Sequence, residues 1–187
     1  MLTVGDRFPK FNLTASSDVA FEQLNINNAF THIDNETYKG KWMVIFFYPK
    51  DFTFVCPTEI VGFSNLKKEF DARNTQVLGC STDSEFVHWA WRKHHKPLNH
   101  INFPLLADIK KELCQELGIL EESGVAKRAV FIVDDKGIIR FSMVTDSSVG
   151  RNPDEVLRVL DALQNGGLCQ CGWTREQKPL DISNADV

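Results

Sequence analysis

The fold is decided by the stretch FYPKDFTFVCPTE, residues 47–59, which joins an apolar run to a helical pattern. Residues 42–48 are apolar at nearly every position, as is typical of a central strand covered on both faces. Pro57 suits the first turn of a helix, where its missing N–H costs nothing. Apolar residues then recur at near-helical spacing: Ile60, Phe63, Leu66 and Phe70. The pattern therefore predicts a strand, a short loop and a helix that starts near Cys56.

Cys56 is the main candidate for chemistry in this stretch. A thiol at a helix N-terminus lies near unpaired backbone N–H groups and the positive end of the helix dipole, which favour the thiolate. A lone cysteine beside an apolar strand can equally be a small buried hydrophobe, and spacing alone leaves both readings open. Position 59 is Glu, so a Cys-x-x-Cys dithiol is excluded and any second thiol must come from elsewhere.

The rest of the chain alternates strands and helices. Strands are expected in three places: a hairpin or edge strands within residues 3–38, a buried strand at 75–82, and an antiparallel pair at 129–133 and 138–144 joined by a turn at Gly137. Three further helices are expected: one capped by Asp83 or Ser84 and running to His94, one at 108–120 with Ile109, Leu113 and Leu117 on one face, and one from Asn152 to Gln164 before Gly166. This order predicts a single α/β domain with a mixed central sheet.

Composition narrows the class of protein. The 187 residues are 43% hydrophobic and 25% charged, with 21 Lys and Arg against 25 Asp and Glu, for a net charge of −4. Such a mildly acidic chain without a basic block predicts no nucleic-acid partner. Residues 1–7 lack the features of a signal peptide, and the longest apolar segment is too short to span a bilayer. We therefore expect a cytoplasmic protein without membrane contact, whose five cysteines are reactive or buried thiols.

A family resemblance adds to this reading. The spacing Pro49-x-x-x-Thr53-x-x-Cys56 resembles the signature of the peroxiredoxins. The longer match at 52–59 is typical of their 2-Cys subgroup, which includes bacterial alkyl hydroperoxide reductase C. Further segments follow in the family's order, at 40–42, 103–108, 124–134 and 149–152. The resemblance implies a thioredoxin-like fold over residues 1–167, and a C-terminal tail, residues 168–187, that carries the resolving cysteine.

The resemblance also implies roles for individual residues. Cys56 matches the peroxidatic cysteine, which attacks the peroxide O–O bond and becomes a sulfenic acid. Thr53 matches a hydroxyl that hydrogen-bonds in the pocket, and Pro49 a residue that shields the thiolate from water. Arg128 matches the guanidinium that stabilises the thiolate and orients the peroxide; without the motif it would be an ordinary surface or ion-pair arginine. Glu59 and Arg151 match polar residues that support the pocket. Without the resemblance they would be a solvated helix carboxylate and an ordinary loop cation.

The tail departs from the family's Cys-Pro-x-x-Trp pattern, because it reads Cys169-Gln170-Cys171-Gly172-Trp173. Cys169 takes the resolving position by its distance from Trp173, and Cys171 is an alternative resolving thiol. A Cys-x-Cys could be half of a metal site, but zinc needs four ligands and no second pair follows. The remaining cysteines, Cys80 and Cys114, lack a helix start or a basic setting and are expected in the core. The histidines at 88–100 are likewise expected in core and surface roles rather than at a metal site.

The implied function is reduction of hydrogen peroxide and organic hydroperoxides without a cofactor or metal. A thioredoxin-like or flavoprotein disulfide reductase would supply electrons, and relatives form homodimers that close into decameric rings. A holdase chaperone or a peroxide-sensing redox relay protein is the alternative. The Gly-Gly-Leu-Gly insertion of peroxide-sensitive relatives is missing between residues 120 and 128, and their Tyr-Phe pair is missing from 179–187. These two differences predict resistance to overoxidation.

Overall fold

The computed structural model describes residues 1–183 and contains a seven-stranded mixed sheet in the order β2-β1-β5-β4-β3-β6-β7. The strands are β1 Asn12–Ser16, β2 Phe30–Asp34, β3 Trp42–Phe47, β4 Thr75–Ser81, β5 Leu105–Ala107, β6 Arg128–Val133 and β7 Ile139–Thr145. Central β3 pairs parallel with β4 and antiparallel with β6. The expected α/β class, the central strand, the N-terminal hairpin and the late antiparallel pair are confirmed.

In the described part of the chain, five helices cover the two faces of the sheet: α1 Cys56–Asn65, α2 Lys67–Asp71, α3 Glu85–His94, α4 Glu112–Leu117 and α5 Pro153–Asn165. Short 3-10 turns lie at Phe21–Gln23 and Lys96–Leu98. Alternate residues of β3 enter two separate cores. Ile45 and Phe47 pack with α4, whereas Val44 and Phe46 pack with α1, α2, α3 and α5. Burial on both sides explains why this strand is apolar at nearly every position.

The helix expected after Cys56 is split in two. Leu66 has a ψ of 3°, which ends α1 and places a turn before α2. The apolar face nevertheless continues across the break, since Ile60, Phe63 and Phe70 are all fully buried. The periodicity therefore located the buried face correctly but not the interruption at Leu66.

The helix expected at 108–120 is wrong at both ends, because the structure has a helix only at Glu112–Leu117. The buried Asp108 carboxylate accepts the N–H groups of Leu113 and Cys114, and Lys111 has a φ of 64°, so the chain turns before the helix begins. Left-handed Gly118 ends it. Ile109 consequently lies outside the helix and is exposed rather than aligned with its buried face.

The helix starts and the hairpin agree with expectation. Ser84 caps α3 by accepting the N–H of Val87, and Asn152 caps α5 by accepting that of Asp154. Gly137 has the positive φ that the β6–β7 turn requires, and Gly166 the one that ends α5. No helix within residues 1–183 is long and apolar enough to cross a membrane.

Candidate active site

Cys56 lies where the loop after β3 enters α1, with its side chain turned inward and only 1% of the residue exposed. Its thiol faces the guanidinium of Arg128, whose Nη1 and Nη2 lie 3.6 and 3.7 Å from Sγ. A sulfur at this position can therefore accept hydrogen bonds from a fixed cation. It also lies in the positive potential of the helix N-terminus. Both features stabilise a negative charge on the sulfur.

Arg128 is the first residue of β6, the antiparallel neighbour of β3, so strand pairing sets it beside the end of β3 from which the Cys56 loop departs. Its side chain is held on two sides. Nε and Nη2 donate to the Ser147 carbonyl at 3.2 and 2.8 Å, and Nη1 donates to the Glu59 carboxylate. The guanidinium is thus oriented before any substrate arrives.

Glu59 joins two arginines in a buried cluster one helical turn from Cys56. Its Oε1 accepts the backbone N–H and Nε of Arg151, both at 2.7 Å, and its Oε2 accepts Arg151 Nη2 at 3.1 Å in addition to Arg128. Burial raises the pKa of Glu59, but the hydrogen bonds and charge of Arg151 and the charge of Arg128 outweigh it and hold the pKa below its ordinary value. One carboxylate between two guanidiniums leaves one positive charge, which faces the sulfur.

Pro49 and Thr53 both lie in the loop between β3 and α1, where each is half-buried. Thr53 Oγ1 donates to the carbonyl of Lys50 at 2.9 Å, and no hydrogen bond joins it to Cys56 among residues 1–183. The structure therefore brings Arg128, and through it Glu59 and Arg151, to the thiol, while the Thr53 hydroxyl supports the loop.

A buried pair, Asp51 and His88, anchors this loop to α3, and the sequence did not predict it. Asp51 Oδ2 lies 2.7 Å from Nδ1 of fully buried His88, whose Nε2 donates to the Leu106 carbonyl at 3.0 Å. The backbone N–H of Asp51 donates to Asp83. Burial raises the pKa of Asp51, and the bond to Asp51 raises that of His88 against the lowering effect of burial, so the pair retains its proton. Asp51 lies inside the motif, but nothing in the sequence distinguishes His88 from the chain's other histidines.

Within residues 1–183, no hydrogen bond joins the tail thiols to this cluster. Cys169 is half-buried with its Sγ 3.7 Å from the Ala162 carbonyl of α5, and Cys171 is exposed. All five cysteines are free, so neither tail thiol is bonded to Cys56. Burial raises the pKa of Cys80 and Cys114, as suits core thiols. Within the described residues, no group of three or more His, Cys, Asp or Glu side chains is arranged to hold a metal ion.

Comparisons with known proteins agree with this geometry. Residues 4–142 match the model of the AhpC/TSA family. Alkyl hydroperoxide reductase C of Mycobacterium tuberculosis is 50% identical over 184 residues, 97% of this chain and 94% of that protein. Peroxiredoxin-2 of Bos taurus is 44% identical over 179 residues, 91% of this chain and 85% of that protein.

Solved structures give the same result. Mycobacterium tuberculosis AhpC superposes with a TM-score of 0.87 at 51% identity, covering 92% of this chain and 99% of that one. The reduced 2-Cys peroxiredoxin of Plasmodium vivax superposes with a TM-score of 0.88 at 32% identity, covering 98% and 95%. These similarities favour a thiol peroxidase over a chaperone or a sensing protein. The chain therefore belongs to the AhpC/TSA family, and it is a thiol-dependent peroxidase of the peroxiredoxin class.

Proposed function

We propose that Cys56 is the peroxidatic cysteine and that it reduces hydrogen peroxide and organic hydroperoxides. The Cys56 thiolate attacks one peroxide oxygen, an S–O bond forms as the O–O bond breaks, and the departing alkoxide or hydroxide takes up a proton to leave as alcohol or water. Cys56 is then a sulfenic acid. The observation that carries this proposal is the guanidinium of Arg128 placed 3.6 and 3.7 Å from the buried sulfur.

The other site residues act on the same step. Arg128 stabilises the thiolate and the charge that develops on the departing oxygen. Glu59 and Arg151 fix the orientation of Arg128 through the buried cluster. Thr53 and Pro49 form the rim of the pocket, with the Thr53 hydroxyl available to the peroxide when it turns from the Lys50 carbonyl.

A tail thiol completes the first half of the cycle. The Cys169 thiol attacks the Cys56 sulfenic acid, an S–S bond forms, and the hydroxyl leaves with the thiol proton as water; Cys171 is the alternative partner. Because Cys56 is buried and Cys169 packs against α5, the start of α1 and the tail must rearrange first. An external dithiol, a thioredoxin-like protein or a flavoprotein disulfide reductase, then returns two electrons and two protons.

We extend the proposal to assembly and setting. A homodimer in which the disulfide joins two chains, with dimers closing into a decameric ring, is the arrangement that the resemblance implies. An odd count of five cysteines suits the reducing cytoplasm better than a framework of structural disulfides. Resistance of Cys56 to sulfinic acid formation follows from the two missing segments described above. A peroxide dose series would contradict this last point if sulfinic Cys56 formed at low equivalents.

Peroxide consumption by Cys56→Ser tests the central assignment, with Cys80→Ala as the matched control because Cys80 is a core thiol outside the site. We expect loss of turnover and of the sulfenic acid in Cys56→Ser and wild-type behaviour in Cys80→Ala. Turnover that survives in Cys56→Ser would refute the assignment.

The resolving thiol needs a separate measurement. Non-reducing gels and peptide mass spectrometry of Cys169→Ser and Cys171→Ser after one equivalent of peroxide would identify the bonded pair. We expect Cys169→Ser to lose the disulfide with Cys56, and a dimer-sized band in the wild type. A wild-type disulfide that persists in Cys169→Ser would instead assign the resolving role to Cys171.

A further inference from the structure

Arg158, in the second turn of α5, connects that helix to the C-terminal tail. Its Nε and Nη2 donate to the two oxygens of Glu155 at 2.7 and 2.8 Å, in a bidentate pair. Its Nη1 donates to the backbone carbonyl of Trp173 at 2.9 Å. Glu155 thus orients the guanidinium, and the remaining donor points at the tail. Neither residue is used by the peroxidatic site described above.

The segment 169–173, here called the tail segment, packs along one side of α5. The Trp173 residue is 1% exposed, so its indole is a buried anchor. Cys169 Sγ lies 3.7 Å from the carbonyl of Ala162, one helical turn after Arg158. The pKa of Arg158 is raised chiefly by its bond to Glu155, and both tail thiols add to the effect, which agrees with their lying near the guanidinium.

We propose that Arg158 is a positioning residue of the resolving half-reaction, which holds the tail segment on α5 and so limits how fast a tail thiol reaches oxidised Cys56. The inference rests on the proposed function of Cys56. Cys56 is buried at the start of α1, and Cys169 is half-buried with its sulfur against the Ala162 carbonyl. The Cys169 sulfur must therefore turn away from α5 before it can attack a Cys56 sulfenic acid, whether in its own chain or in a partner chain. The bond from Arg158 to the Trp173 carbonyl opposes that departure.

The chemistry of the step sets what Arg158 can change. The thiol of Cys169 and the sulfenic acid of Cys56 give a disulfide and water, and peroxide has already supplied the oxidising equivalents. The hydrogen bonds of Arg158 go to Glu155 and to the Trp173 carbonyl, and none goes to Cys56 or Arg128, so we expect formation of the sulfenic acid to be independent of it. Only the second step, in which the tail segment moves, depends on Arg158.

The test measures the two steps separately in Arg158→Gln after rapid mixing with peroxide, by acid quench and mass spectrometry. Loss of the charged donor should speed disulfide formation about tenfold, equivalent to about 1.4 kcal/mol, with sulfenic acid formation unchanged. The rate of disulfide formation in Arg158→Lys should lie between those of the wild type and Arg158→Gln. The reason is that an ammonium cannot bind Glu155 bidentately and the Trp173 carbonyl at the same time. Arg140→Gln is the control, because Arg140 on β7 also pairs with a carboxylate, that of Asp134 at 2.7 Å.

A second measurement does not depend on turnover. In a Cys56→Ser background, Arg158→Gln should increase hydrogen exchange of the Trp173 amide, which donates to the Gln170 carbonyl at 3.0 Å. Disulfide formation that is unchanged or slower in Arg158→Gln would overturn the proposal. A slower rate would mean that the guanidinium activates the tail thiol instead of holding the tail segment. Unchanged Trp173 exchange would overturn it as well. If the wild type forms no Cys56 sulfenic acid, the proposed function has failed, and amide exchange still decides whether Arg158 holds the tail.

Discussion

Replacement of Glu59 by Gln should destabilise the fold strongly, because one uncharged amide cannot satisfy two buried arginines. The Glu59 side chain is 1% exposed and accepts four hydrogen bonds, three from Arg151 and one from Arg128. In the Gln variant an NH₂ group replaces one carboxylate oxygen, so that a donor faces the guanidinium donors. The negative charge that compensates the two arginines is also lost. Removing one partner of a buried ion pair typically costs about 3–5 kcal/mol, a large share of a native stability of about 5–15 kcal/mol.

Urea unfolding followed by far-UV circular dichroism would measure this cost. With an m-value of about 2 kcal/mol/M, a loss of about 4 kcal/mol lowers the midpoint by about 2 M. Glu116→Gln is the matched control, since Glu116 is exposed on α4 and makes no ion pair among residues 1–183; its midpoint should stay within about 0.3 M. A Glu59→Gln midpoint within about 0.5 M of the wild type would refute the reasoning that this carboxylate neutralises the cluster.

Three further predictions follow from contacts described above. Arg128→Lys should slow sulfenic acid formation on Cys56 about a hundredfold in rapid-mixing assays, because an ammonium cannot keep all the hydrogen bonds of the guanidinium; a wild-type rate would contradict its role. The raised pKa values of the Asp51–His88 pair mean that the folded state binds more protons than the unfolded state. The contribution of His88 should therefore be lost as the pH rises from about 6.5 through its folded pKa, and that of Asp51 as the pH rises from about 3.9 through its folded pKa; a His88→Asn variant with the same pH profile would disprove this. Asn152→Ala removes the α5 cap and should lower the melting temperature by about 2–4 °C, for about 1 kcal/mol; no change in calorimetry would count against the cap.

The sequence was most informative where local chemistry decides structure. The apolar run before Pro49 predicted a strand covered on both faces, and Pro57 and Asn152 marked helix starts that depend on a few neighbouring residues. Arg128 could be connected to Cys56 only through the resemblance, because no local pattern links residues so far apart. Family membership, and with it the thiol peroxidase class, was likewise within reach of the sequence.

What could not be predicted depends on packing between distant segments. The interruption at Leu66 and the short α4 come from backbone angles and from the buried Asp108 carboxylate, none of which has a sequence signal. The pairing of Asp51 with His88 requires α3 to pack beneath the loop after β3. The bond of Thr53 to the Lys50 carbonyl is a matter of loop conformation, which a motif does not specify.

The contacts that surround Cys56 also bear on when the thiol becomes reactive. Arg128 lies 72 residues after Cys56, and Arg151 lies 92 residues after Glu59. Cys56 is therefore synthesised well before Arg128 and Arg151. Its thiol lacks the neighbouring Arg128 guanidinium until β6 and the start of α5 have packed. A nascent or unfolded chain thus carries an ordinary cysteine. If Cys56 is the peroxidatic cysteine that we propose, its sensitivity to peroxide arises only with the completed domain, and the thiol is not oxidised while the chain is still being made.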